Sequence, residues 1–268
     1  MINCNKIKSE RQAEKLLRKQ LGRIYCPRCF KKHYVRKLPE GRYYCQQCRY
    51  KFSLKVLLGL KNSNLTLKQI IDLTHCFSQS FSLKVVCQTT ELSLVSARFN
   101  YHRLRQLLPK TKGKLTGDII ADEAYVGRQK HDNQAIVAGV VDRSFKQIRL
   151  RIIPDREQDT LEQFLLDYVT TDSMLTTDAW PSYYGIEWYG YGHMIENHQL
   201  NQLKLSVPIE RVWALFKTLL RRTYHHIWKE SLAEYAVEFE ARFNHREIVS
   251  NPLNLLTYLL SPCSKSLT

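Results

Sequence analysis

The sequence predicts an α/β domain preceded by a small metal-binding ribbon and a basic helical region. Three observations carry this reading. Two C-x2-C pairs lie fifteen residues apart near the start, the charge balance changes sign near residue 117, and short apolar runs with strand and helix periodicity follow. At 268 residues and 44% apolar, the chain can bury a sizeable core and form more than one domain.

The net charge of +16 is unevenly spread. Residues 1–116 hold 25 Lys and Arg against 5 Asp and Glu, whereas residues 117–268 hold 16 against 20. A basic half joined to a slightly acidic half reads as a polyanion-binding module joined to one that uses carboxylates. An anionic membrane surface would also attract the basic half. Its Lys and Arg are not laid out as one amphipathic helix, which ranks nucleic acid ahead. No apolar run approaches the roughly 20 residues of a membrane span. The start, Met1 to Arg11, has no apolar signal core. A cytoplasmic location is therefore expected, where eight cysteines serve as metal ligands or free thiols rather than disulfides.

A helix is predicted over 10–21. Cys26-Pro-Arg-Cys29 and Cys45-Gln-Gln-Cys48 then give the spacing of a four-thiolate zinc site. Residues 34–38, the turn Pro39-Glu-Gly41 and residues 42–44 fit a hairpin between the two knuckles. Four thiolates leave no open position, so one structural Zn²⁺ is expected. A redox pair would need only one C-x2-C in a βαβ setting. Lys31, Lys32, Arg36, Lys37, Arg42, Arg49 and Lys51 alternate with Tyr34, Tyr43, Tyr44 and Tyr50. That mixture suits phosphate contacts with stacking, and it equally suits a solvated basic face. Cys4, Cys76, Cys87 and Cys263 lack ligand spacing and read as ordinary thiols.

After the ribbon, Thr66 reads as the N-cap of a helix, a shorter helical piece covers 82–88, and Ser93 caps a third helix over 94–108. The third carries Arg98, Arg103 and Arg105. Short helices before a basic helix resemble a helix-turn-helix, although many three-helix domains share the pattern. Residues 109–117 are rich in Lys, Gly and Thr and read as a linker.

From 118 the periodicity changes. Strands are predicted over 118–122, 135–142, 147–153 and 173–178, with a helix over 161–169. Asp122 and Asp178 then stand at the ends of the first and fourth strands. This order is that of a ribonuclease-H-like α/β domain, a fold-level analogy. A helix over 209–222 follows Pro208 and opens with Glu210. Lys217 is seven residues further, on the same face. A longer helix, about 230–246, places Glu238, Arg242 and Arg246 on one face. Carboxylates at strand ends and a helix start can converge on hard cations and serve phosphodiester chemistry. Each also has a local reading: a turn residue at Asp122, a local bond near Pro181 at Asp178, a helix-dipole partner at Glu210. Glu123 rivals Asp122, since neighbours in a strand point to opposite faces. His193 and His198 receive no role.

These residues together resemble the zinc-ribbon DDE transposases of small bacterial insertion sequences, of the ISXO-like kind. The resemblance rests on Cys26, Cys29, Cys45 and Cys48, on Asp122-Glu-Ala-Tyr-Val-Gly127, on Thr177-Asp178 with Tyr183, on Ile209-Glu210 with Trp213 and Lys217, and on Glu238-Phe with Arg242-Phe-Asn244. It spans almost the whole chain. It implies that Asp122, Asp178 and Glu210 form a triad for two Mg²⁺ or Mn²⁺ ions. It also implies that Lys217 contacts DNA near the cut; Arg242, and Arg98, Arg103 and Arg105 of the basic helix, are further expected DNA contacts. Double-stranded DNA would be the partner, both the element's terminal inverted repeats and the target. A homo-oligomer would hold two ends in the bacterial cytoplasm, at the nucleoid. The family pattern is not met at Arg128, Leu205, Val207 and His245, which touches local DNA contacts and leaves the triad intact. The implied organisation is residues 1–58 for the first helix and ribbon and 59–116 for the helix-turn-helix-like region and linker. The ribonuclease-H-like catalytic domain would cover 117–250, and 251–268 would form a C-terminal tail.

Three readings compete: a metal-dependent transposase, a nuclease with the same triad, and a non-catalytic zinc-ribbon DNA-binding regulator or decayed transposase. Only the enzymes need Asp122, Asp178 and Glu210 to converge. A structural zinc supplies much of a small ribbon's folding energy. A strong chelator is therefore expected to unfold residues 24–50, followed by NMR; an unchanged ribbon spectrum after zinc removal would contradict the four-thiolate site.

Overall fold

The computed structural model describes residues 7–129, 132–196, 207–225 and 227–261. It divides into two compact units, Met1–Pro109 with Arg246–Thr268, and Lys110–His245.

In the first unit, α1 (Glu10–Leu21) starts at Ser9, whose hydroxyl accepts from the Gln12 amide, and buries Ala13, Leu16 and Leu17. The ribbon follows as three short antiparallel strands, β1 (Val35–Lys37), β2 (Tyr43–Cys45) and β3 (Lys51–Phe52). Gly41, at φ +81°, supplies the left-handed turn of the predicted hairpin. A short α2 (Leu54–Leu57) leads to α3 (Leu67–Ser78), α4 (Leu83–Thr90) and α5 (Leu94–Gln106). Thr66 caps α3 as read from sequence, in a reciprocal capping box with Gln69. The Glu10 carboxylate adds two more acceptors there, taking the Leu67 and Lys68 amides at 2.8 and 3.0 Å. Three residues, Glu91 to Ser93, join α4 to α5, with Glu91 in the left-handed region at φ +58°.

The second unit is a five-stranded mixed sheet between helices. Its strands are β4 (Asp118–Arg128), β5 (Asn133–Asp142), β6 (Ile148–Ile153), β7 (Met174–Asp178) and β8 (Gly192–Glu196), in the order β6-β5-β4-β7-β8. The first three form an antiparallel meander; β7 and β8 add in parallel on the other side of β4. Helix α6 (Gln158–Tyr168) provides the crossover from β6 to β7. Period-two alternation divides the core. On one face, Ile120, Val137, Val141 and Ile148 pack under Ile209, Val212, Trp213 and Phe216 of α7 (Val207–Leu219) and Phe239 of α8 (Leu232–Asn244). On the other, Ile119, Ala138, Val140 and Leu175 pack under Leu161, Phe164 and Leu165 of α6. Each fully buried side chain of this size contributes roughly 1.5–3 kcal/mol.

The edge of β6 is covered by side chains of α8. Asn244 accepts from the Ile148 amide and donates to its carbonyl, both at 2.8 Å, as a neighbouring strand would. Glu240 accepts the Leu150 amide and pairs with buried Arg149 at 2.7 Å. Arg149 also donates to the carbonyls of Thr111 and Gly113, fixing the segment that enters β4.

Two elements differ from the sequence reading. β4 does not end at Asp122 but runs to Arg128, because β5 remains paired with it as far as Asn133. The helix read over 209–222 is α-helical only to Leu219, then turns to π geometry over Leu220–Tyr224. The chain then returns to the first unit through α9 (Arg246–Val249) and α10 (Pro252–Leu260). The segment read as a tail is thus helical, with Pro252 at its first turn, Asn251 capping it and four buried leucines facing inward. Tyr25 donates to the Leu260 carbonyl at 2.8 Å. No helix among the described residues is long and apolar enough to cross a membrane.

Candidate active site

The parallel ladder between β4 and β7 ends at Ile120 opposite Thr176. Two residues further on, Asp122 and Asp178 stand level on adjacent strands, facing the α7 side because they share the parity of Ile120 and Thr176. On β8, Glu196 is paired in register with Asp178. These three carboxylates and Glu210 of α7 line one small cavity of about 70 Å³, with Thr176 and Thr177 in its wall.

The placement of α7 follows from one glycine. Gly139 of β5 is paired with Asp122, and a Cβ there would lie 2.5 Å from the Trp213 ring. Lacking it, the sheet admits the indole, whose Nε1–H donates to Asp122 Oδ2 at 2.8 Å. Glu210 is one helical turn before Trp213, so seating the indole brings Glu210 over the cavity. Burial raises the Asp122 carboxyl above its ordinary range, and the Asp178 charge adds to this, while the Trp213 hydrogen bond opposes it. Asp178 also accepts from the Trp180 amide at 3.1 Å, the local bond considered from the sequence.

Glu123 lies on the opposite face of β4. Its carboxylate accepts from the Tyr183 hydroxyl and pairs with Arg156 at 2.8 Å, and its side chain is 1% exposed. Burial raises the Glu123 carboxyl despite both donors. Arg156 lies 4.0 Å over the Trp180 ring. Of the two neighbours, Asp122 lines the cavity and Glu123 anchors the turn after β7.

The oxygen donors suit a hard cation such as Mg²⁺. They are gathered less tightly than the sulfurs of the ribbon. Among the described residues, only Cys26, Cys29, Cys45 and Cys48 form a group with all ligand atoms within 4.8 Å of one another. Their sulfur pairs stand 3.4 and 3.6 Å apart, close to the roughly 3.8 Å that tetrahedral Zn–S bonds of about 2.3 Å impose. Burial pushes the Cys26 thiol up to about 12. At Cys45 burial is outweighed by hydrogen bonds from Cys48, leaving it at about 7. Such divided titration is what a dication holding all four as thiolates would remove.

The five basic residues singled out from the sequence separate by helical face. Lys217 and Arg98 are exposed. Arg103 is half-buried and donates to the Lys61 carbonyl at 2.9 Å. Arg105 is buried, on the inner stripe of α5 with Tyr101 and Leu104. Arg242 is turned inward too, donating to fully buried Glu238 at 2.8 Å, which also accepts from the Tyr224 hydroxyl. The expectation that Arg105 and Arg242 face DNA is thus not met by their placement: helix periodicity sends both to the core side. His193 is held between Thr177 Oγ1 at 2.8 Å and Glu187 at 3.0 Å. His198, Cys4, Cys263 and Leu205 lie outside the described residues. Sequence reasoning missed Glu196, because the five residues of β8 carry only two apolar side chains; the available signal was a carboxylate ending a short run after Tyr191.

Residues 114–244 match the family model of the ISXO2-like transposase domain. This segment is thus similar to a transposase domain. No curated protein matches the chain. Among solved structures, the catalytic core domain of BIV integrase aligns at 14% identity and TM-score 0.34, covering 48% of this chain and 82% of its own. A simian T-cell lymphotropic virus intasome, in complex with PP2A regulatory subunit B56 gamma, aligns at 12% identity and TM-score 0.38, covering 65% of each chain.

If Trp213 seats α7 through the gap at Gly139, a methyl group there displaces it. Gly139→Ala is expected to cost about 1–3 kcal/mol in urea unfolding. An unchanged midpoint would show that the indole does not depend on that gap.

Proposed function

We propose that this protein is a DNA transposase, cutting and joining DNA ends at the cavity lined by Asp122, Asp178 and Glu210. The observation that carries the reading is convergence. Side chains from β4, β7 and α7, up to 88 positions apart in sequence, meet at the end of the parallel ladder. Neither a DNA-binding regulator nor a purely structural domain needs that meeting.

Asp122, Asp178 and Glu210 would hold two Mg²⁺ or Mn²⁺ ions, with Glu196 as a further oxygen donor beside Asp178. When bound, such ions supply polarisation of the scissile phosphate and activation of an attacking hydroxyl. Trp213 orients Asp122 by its hydrogen bond, and the Trp180 amide does the same for Asp178. Lys217, exposed two turns along α7 from Glu210, holds a phosphate of the strand being cut. No covalent protein intermediate is required: water attacks first, and the freed 3′ hydroxyl then attacks target DNA.

The first unit would bind the element ends. Its ribbon holds one structural zinc on Cys26, Cys29, Cys45 and Cys48. The short turn between α4 and α5 makes this pair a helix-turn-helix, with Arg98 and the exposed side of α5 toward the major groove. Two copies would bring two ends together.

The test is Mg²⁺- or Mn²⁺-dependent nicking and strand transfer on DNA carrying the element's own ends. The full-length protein is compared with Asp178→Asn and Glu210→Gln. Loss of at least about 100-fold in both products, with DNA binding retained, is expected, since the basic half still holds DNA. Cleavage surviving in either variant would overturn the triad; DNA binding without cleavage by any of the three would favour the regulator.

A further inference from the structure

Beyond Lys217 the second unit forms a second, larger hollow. The β4–β5 hairpin projects past Asp122 as Tyr125 to Arg128, and α7 passes into its π turn, which ends at His225 with φ +62°. Asn133 fastens the following segment to the hairpin, donating to the Ile227 carbonyl at 2.9 Å and accepting the Lys229 amide at 2.8 Å. Gly127, at φ +107°, permits the close turn, since a Cβ there would run into the Asn133 carbonyl. This open hollow has a volume of about 680 Å³. A π turn within an α-helix often marks a functional position.

Its lining has two characters. The floor is apolar, with Val126, Leu220 and Leu232 all buried. The rim is cationic: Arg128, Lys217 and Arg221 have no ion-pair partner among the described residues, while Lys229 pairs with Asp132 at 2.5 Å. Trp228 stands at the rim, 71% exposed, with Tyr125 half-exposed across from it. A sugar-phosphate backbone gains nothing from an apolar floor and an indole. A base does, because its faces stack on aromatic rings while its phosphates remain with the cations. A volume of this size suits a single small ligand, within the usual range of about 300–1,000 Å³, and is far too small for a double helix.

We propose that this hollow receives an unpaired nucleotide of the DNA strand, its base stacked on Trp228 and its phosphates held by Lys217, Arg221 and Arg128. The inference rests on the reading of the carboxylate cavity as the cutting site. Lys217 lies seven residues along α7 from Glu210, about 10 Å by helical rise. That is about three base steps at 3.4 Å, so the unpaired position falls within about three nucleotides of the cut.

The test reads binding rather than cutting. The full-length, zinc-loaded protein is titrated, without Mg²⁺ or Mn²⁺, with a labelled duplex carrying three unpaired nucleotides at one end, and with the blunt duplex of the same sequence. A 2-aminopurine in the unpaired stretch reports stacking by quenching. The wild-type protein is expected to prefer the unpaired end by roughly 5- to 100-fold, as base stacking gives. Trp228→Ala brings the ratio to about one and removes the quench, whereas Trp228→Tyr keeps both. Equal affinity for the two duplexes in the wild-type protein, or a preference surviving in Trp228→Ala, would overturn the proposal. Failure of the carboxylate variants to lose nicking would leave this binding result standing, so the two readings fail separately.

Discussion

Helix α7 rests on the sheet through a position that carries no side chain. Gly139 leaves room for the Trp213 ring, and the ring in turn reaches Asp122 with its N–H. Much of the second unit depends on this seat. It sets the depth of Ile209, Val212 and Phe216 in the core, and it places Glu210 over the strand ends. It also aims the other end of the helix, with Lys217 and the π turn, toward the hairpin. One backbone gap therefore links packing, the carboxylate cavity and the larger hollow beside it.

Electrostatics explains why the carboxylates line a common cavity without closing on one another. Asp122 and Asp178 stand level on neighbouring strands, and burial together with the Asp178 charge raises the cost of ionising Asp122. Such a group is held open by its own charge and is drawn together when a cation supplies the opposite sign. The contrast with Glu123 is informative. Equally buried, it is satisfied by Arg156 and Tyr183 and so has its partners within the protein. Neighbouring residues on one strand thus take opposite roles because the pleat sends them to differently charged faces.

Much of this was legible in the residues. The cysteine spacing, the Thr66 cap, the Ser93 cap and Pro208 at the helix start are local signals, and local geometry honours them. The element order after 118 followed from periodicity, and Trp213 and Glu210 were placed on the same helix. What escaped depended on tertiary partners. The extension of β4 to Arg128 exists because β5 pairs with it. Glu196 sits on a short edge strand whose one strand partner among the described residues is β7. Arg105 and Arg242 read as DNA contacts because charge suggests solvent, yet their helical faces turn inward; Arg242 meets Glu238 there, whose carboxylate also accepts from the Tyr224 hydroxyl. Arg221 lies in the π turn and Trp228 just before the 3-10 turn that follows it, and neither turn has a sequence signature of its own.

The most direct test of the central claim is the position of a cation. Crystals of the protein soaked in Mn²⁺, measured at the manganese absorption edge, should show an anomalous peak in the cavity lined by Asp122, Asp178 and Glu210. Cation density that avoids this cavity, in crystals where the four cysteines hold zinc, would contradict the account.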